Sequence, residues 1–143
     1  MVMLWGNKLP LAAGLLMAAA GLALFGRAPV AGLFWIDVLP GMLLLGLGSG
    51  IAFNPLLLVA MSDVEPSESG LASGVVNTAF MMGGALGLAV LASVAAAVTG
   101  SQELGTSAAA ALNEGYQTAF NLGAIFAALA AVISYVMLRN TAK

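Results

Sequence analysis

Residues 70–98 read GLASGVVNTAFMMGGALGLAVLASVAAAV, a run in which no Asp, Glu, Lys or Arg occurs. About 20 apolar residues cross a bilayer as a helix, so this stretch predicts a membrane span over about Leu71 to Val98. The rest of the chain has the same character. Of 143 residues, 62% are hydrophobic and 7% are charged, against about 25% charged in a soluble domain. A soluble fold of this size has too little polar surface to face water with, whereas lipid serves as the outer shell. Three further apolar stretches flank the first, at about Leu9 to Phe25, Phe34 to Met61 and Tyr116 to Leu138. Unpaired backbone cannot face hydrocarbon, so each is expected to be a helix. The expected fold class is all-α: a polytopic membrane protein with four transmembrane helices in one domain, 1–143.

Composition also excludes function classes. There is no Cys and no His, which removes disulfides, thiolate sites and imidazole-bound metals, and no cofactor is expected. The six acidic residues sit mostly near segment ends, and no nucleophile–base pair is visible, so no catalytic or metal site is expected. A net charge of −2 without a basic cluster excludes nucleic acid as a partner. Gly46, Gly48 and Gly50 imitate a phosphate loop, but they lie inside an apolar span with neither the preceding strand nor the following Lys-Ser/Thr. Close helix contact is the expected role. Lys8 followed by a short apolar run imitates a signal peptide; no small-x-small cleavage site leads into a soluble domain, and cleavage is not expected.

Lys8, Arg139 and Lys143 fall on one side of a four-span arrangement and Arg27 on the other. The positive-inside bias therefore places both termini in the cytoplasm, in a multi-pass protein of the cell (inner) membrane. Trp5, Trp35, Tyr116 and Tyr135 near segment ends agree with interfacial positions. The loops are then a short outer turn at Gly26 to Leu33, an acidic cytoplasmic turn at Ser62 to Gly70 (SDVEPSESG), and a longer outer loop from Thr99 to Gly115. Ser67 as N-cap of the third helix and Ser62 with Glu65 as cap of a short interfacial turn are both open.

Candidate functional residues concentrate in the second and third spans. On a helical wheel Gly70, Ser73, Gly74, Asn77, Met81, Gly84 and Ala85 share one face, with Val75, Val76, Ala79, Met82, Leu86 and Val90 opposite. Gly70/Gly74 and Gly83/Gly87 have the i, i+4 spacing of close helix contacts. Packing is the plainer role, and a polar cavity lining at Asn77 is the sharper one, because an amide in hydrocarbon needs a partner. Pro55 removes a backbone donor and is expected to kink the second span, with Asn54 placed to bond a freed carbonyl. Asp37, near an outer span end, is expected to be solvated or paired with Arg27. No acid stands at a span centre, so proton or cation binding by this chain alone is not expected.

The second span with its turn, FWIDVLPGMLLLGLGSGIAFNPLLLVAMSDVEPSESGLASG, and the third span resemble the last part of fourteen-helix drug:proton antiporters of the major facilitator superfamily. The carrying residues are Trp35, Leu39-Pro40, the glycines to Gly50, Phe53 to Pro55, Gly70 to Gly74, Asn77-Thr78, Gly83 to Ala85 and Gly87. The family commonly has Arg and Gln where this chain has Phe80 and Met81. The resemblance covers nearly the whole chain. It implies the C-terminal four-helix portion of such a transporter, a partial bundle whose partners are the bilayer and the remaining helices. Small amphipathic compounds as substrates and protons as coupling ions are likewise implied by it. Alternating access needs two bundles, so four helices alone are expected to be inactive. A self-contained four-span exporter would need a carboxylate in its first span, and Leu9 to Phe25 holds none. A non-transporting adaptor acting through helix packing is the alternative.

Overall fold

The computed structural model describes residues 8–101 and 107–137. Trp5, Gly105, Leu138, Arg139 and Lys143 lie outside them, as does the side chain of Lys8, and with these the charges behind the expected orientation. The described residues are helical, with α1 at Lys8–Phe25, α2 at Leu39–Ala60, α3 at Ser69–Gly100 and α4 at Ala108–Met137. A π-helical turn, Phe34–Val38, leads into α2, and a 3-10 turn, Pro66–Glu68, leads into α3.

Each boundary has a local cause. α1 stops where Gly26 follows its last turn, the Gly26 N–H bonding back to the Leu22 carbonyl at 3.0 Å, and Pro29 prevents resumption. α2 begins with a proline in its first turn, where the missing donor costs nothing. α3 and α4 both continue past their apolar runs, so helix takes in Thr99, Gly100 and 108–115 of the expected outer loop. The four alanines 108–111 explain the early start of α4, since alanine is the strongest helix former. Neither serine cap forms. Ser67 Oγ donates to the Glu65 carboxylate at 3.3 Å and Ser62 Oγ to the Val59 carbonyl at 2.9 Å, leaving α3 without a side-chain cap.

Among the described residues three segments are long and apolar enough to span a membrane: Phe34–Ala60, Pro66–Gly100 and Ala108–Val136. The apolar part of α1, Leu9–Phe25, is shorter. The expectation of four spans is therefore met by length in three. α1 packs against α2 and α4, and α4 against α3.

Glycine and alanine set the spacing. Apart from Leu11, every buried hydrophobic residue among those described is an alanine. Across the antiparallel α1–α2 pair, Gly14 faces Gly48 and Gly21 faces Gly41. A Cβ placed on Gly14 would lie 2.6 Å from the Gly48 carbonyl oxygen, and one on Gly48 would lie 2.5 Å from that of Gly14. The two backbones thus touch, which only hydrogen as a side chain permits. α4 contributes a second small-residue row, Ala111, Gly115, Ala119, Gly123, Ala127 and Ala131, at strict i, i+4 spacing. A Cβ on Gly115 would strike Thr99 Oγ1 and approach the Ala95 carbonyl oxygen to 2.6 Å, so this row brings α4 onto α3.

Substituting Gly48→Val should cost about 1–3 kcal/mol or more, the usual penalty of overpacking. Gly50→Val, with open space around it, should leave stability within about 0.5 kcal/mol. Unfolding of the two variants in detergent micelles checks the contrast.

Candidate functional site

The residues selected from sequence gather on α2 and on the first half of α3. Pro55 is fully buried, and α2 continues through it to Ala60 as one α-helix. Asn54 beside it is exposed and makes no side-chain hydrogen bond among the described residues, so the expected link to a freed carbonyl is not formed. Asn77 Nδ2 lies 3.9 Å from Met81 Sδ, one turn on. Two candidates from the same helix face thus meet each other, through a weak sulfur acceptor. Gly70, Gly74 and Gly84 have nothing within 4 Å of where a Cβ would stand.

That bareness extends along the motif. From Gly70 to Leu86 no residue of α3 is buried, and Leu71, Met81 and Leu86 are each at least 65% exposed. Ala72 and Val76 alone in this half are partly covered. The other half-buried or buried positions lie further on, at Gly87, Leu91, Val94, Ala95, Val98 and Thr99, where α3 meets α4. The hydroxyls in the exposed half satisfy themselves on their own helix, Ser73 Oγ donating to the Gly70 carbonyl at 3.0 Å and Thr78 Oγ1 to that of Gly74 at 2.8 Å. This is how a polar side chain avoids an unpaired donor in hydrocarbon. A shallow open groove along this half is lined by Gly70, Leu71, Gly74, Val75, Thr78 and Met82, among others.

One aromatic contact bridges the gap to α2. Phe53 and Phe80 meet edge to face with ring centroids 5.8 Å apart, the geometry that aromatic quadrupoles favour. Gly46 and Gly50 lie on the same α2, and Gly83 and Gly87 on the same α3. None of these four has any atom within 4 Å of a Cβ position. Beyond the phenylalanine pair, therefore, these glycines stand open. Of the three α2 glycines read as helix contacts, Gly48 is one, and Gly46 and Gly50 are not.

Asp37 does not pair with Arg27. Its Oδ2 accepts the Leu33 N–H at 2.8 Å and so closes the turn that opens α2, the carboxylate one turn on meeting a backbone donor that has no helical partner.

Sequence reading misses a polar row on α4. Gln117 Nε2 donates to the Ala28 carbonyl at 2.7 Å, Asn113 Nδ2 to the same oxygen at 3.3 Å, and Asn121 Nδ2 to the Gly26 carbonyl at 3.5 Å. Phe25 and Phe120 stack beside them at 5.3 Å. The signal is present as three amides at i, i+4 and i+8, on one face of α4. Among the described residues no cluster of acids could hold a metal ion.

No family model matches the sequence, and no solved structure matches it. Curated proteins do. The chain is 37% identical over 131 residues to a puromycin resistance protein of Streptomyces alboniger, a match that covers 87% of this chain and 26% of that protein. It is 33% identical over 102 residues to a drug efflux pump of Mycobacterium tuberculosis, covering 68% of this chain and 19% of the pump. It is 38% identical over 100 residues to a cephamycin export protein of Amycolatopsis lactamdurans, covering 70% and 19% respectively. The chain spans about a quarter or less of these relatives. Two of them are named for efflux or export and one for drug resistance, and the resemblance to drug-efflux transporters is borne out.

A Cβ on Gly26 would run into the Asn121 amide. Gly26→Ala should therefore destabilise the chain by about 1–3 kcal/mol. Asn121→Ala in the same molecule should restore part of that loss, a non-additivity that a double-mutant cycle in detergent measures.

Proposed function

We propose that this chain, a homologue of drug and antibiotic efflux pumps, is the C-terminal four-helix part of a secondary active exporter of the fourteen-helix major facilitator type, inactive without its other helices. In this reading α1 is the first of the four spans, both termini face the cytoplasm, and the protein resides in the cell membrane. The cargo is small and amphipathic, expelled in exchange for protons.

The observation that carries the reading is the bare half of α3. The glycine motif from Gly70 to Gly87 makes close helix contact favourable, yet within this chain it contacts almost nothing. The accessible surface, 9873 Å², compares with about 6,800 Å² for a compact soluble protein of this mass. Relatives several times as long supply room for the helices that would cover it. Gly70, Gly74 and Gly84 then act as packing positions for those helices. Asn54, Asn77 and Met81 border the substrate path, where Asn77 exchanges its weak sulfur partner for cargo or a neighbouring helix. Pro55 stays structural, held in the α1–α2 contact.

Proton coupling is assigned to helices outside this chain. The acids of the described residues, Asp37, Asp63, Glu65, Glu68 and Glu114, lie in turns or in the first two turns of α4, away from the middle of any span. A coupling acid works near the bilayer midplane.

Expression in an efflux-deficient host tests the proposal. The chain joined to its in-frame upstream coding region should confer resistance to amphipathic drugs, and the chain alone should confer none. Resistance from neither, with stable co-purification of an unrelated membrane protein, would favour the adaptor reading. In the extended protein, Asp37→Asn should weaken the turn before α2 by about 1 kcal/mol. It should leave the pH dependence of export unchanged, as followed by dye efflux from energised vesicles.

A further inference from the structure

α1 ends early relative to its neighbours. A Cβ on Gly123 of α4 would lie 3.6 Å from Leu22 of α1 and 3.6 Å from Leu91 of α3, which sets these three residues at one level. Beyond that level α1 continues to Phe25, about 5 Å. α3 runs on to Gly100, about 14 Å, and α4 extends back to Ala108, about 22 Å. The turn leaving α1 therefore lies against the flank of α4 and well short of its tip.

Backbone in such a place has a problem. The last carbonyls of a helix and the turn after it have no partners of their own, and packing against the flank of α4 shields these from water. α4 answers with the three amides already described. Gly26 is buried and Ala28 half-buried, and the missing Cβ of Gly26 is what admits the Asn121 amide to the backbone.

We infer that Asn113, Gln117 and Asn121 form an amide latch that seats the α1–α2 turn on the flank of α4. By satisfying carbonyls that the contact shields from water, the latch fastens the end of α1 to α4. It also ties α1, and α2 through it, to α4 at this end, so that the three helices move as one body. The inner half of α3, which meets that body at the Phe53–Phe80 contact and through its own outer half, is the arm left free to move. The inference rests on the membrane reading and not on what is exported.

Thiol labelling in vesicles of both orientations tests it, using the chain in its upstream-extended form. This chain has no cysteine, so any cysteine of the upstream region is first replaced. Ala28→Cys and Val30→Cys are then labelled with a membrane-impermeant maleimide. Val30 is 58% exposed and serves as the fast reference. Ala28→Cys should react about tenfold more slowly, the opening equilibrium expected from one or two interhelical hydrogen bonds. Adding Asn113→Leu with Gln117→Leu should bring it to the Val30 rate. Thr118→Ala, whose hydroxyl bonds only the Glu114 carbonyl of its own helix, should change nothing. Equal rates at the two cysteines, or no acceleration on removing the amides, would overturn the latch. If the double variant is not recovered as a monodisperse protein, Gln117→Leu alone gives the same reading, and an unchanged rate there overturns it equally. Labelling needs no transport, so failure of the efflux proposal leaves this test intact.

Discussion

Hydrocarbon offers no hydrogen bonds, and most of what this chain does with its residues follows from that. Helices take care of the backbone within spans, and serine and threonine hydroxyls close onto carbonyls three or four residues back. The exception is the connection between α1 and α2, where the backbone is not helical yet lies beside the flank of α4. Three side-chain amides meet it there. In water those amides would be ordinary surface residues. Packed against the turn, each finds a carbonyl partner instead, and the needs of donor and acceptor cancel.

The same absence of water removes the hydrophobic effect as a force between helices, leaving close packing to hold them. The glycines divide accordingly. Gly14, Gly21, Gly41 and Gly48 put α1 and α2 backbone to backbone, while Gly115 and the alanines of its row bring α4 to α3. Gly46, Gly50, Gly70, Gly74, Gly83, Gly84 and Gly87 meet nothing. A helix carries glycine at a propensity cost of about 1 kcal/mol each relative to alanine. Accepting that cost at seven unoccupied positions makes sense when other surfaces approach them, which is the physical core of the proposal that further helices belong here.

Much of the fold is legible because span prediction needs only length, apolarity and the absence of charge. The stretches beginning at Phe34 and Leu71 start within a few residues of the helices observed. The fourth helix starts earlier than its apolar run, because helix continues wherever residues such as Ala108 to Ala111 favour it, whether or not lipid is present. The α3 motif reads as a face of small residues, but periodicity does not say which neighbour a face meets. A wheel assigns one side to packing, whereas the structure divides α3 along its length, with a bare first half and a contacted second half. The amide row is hidden for a similar reason. The apolar run begins at Tyr116, which leaves Asn113 on the loop side and separates it from Gln117 and Asn121. Only a helix continuous from Ala108 sets the three on one face. For Asp37 the sequence leaves solvation or a partner such as Arg27 open, and the partner found is the backbone N–H of Leu33.

α4 joins what would otherwise be two separate pieces: α1 with α2 on one side of it, and α3 on the other. Synthesis proceeds from the N-terminus, so α4 is the last of the four to leave the ribosome. Until it inserts, α3 has little but the Phe53–Phe80 contact to hold it near α2, and the Gly26 and Ala28 carbonyls have no amides. Assembly of this segment is thus completed from its far end, and a chain interrupted before Ala108 would present the cell's membrane quality control with a loose helix and an unsatisfied turn.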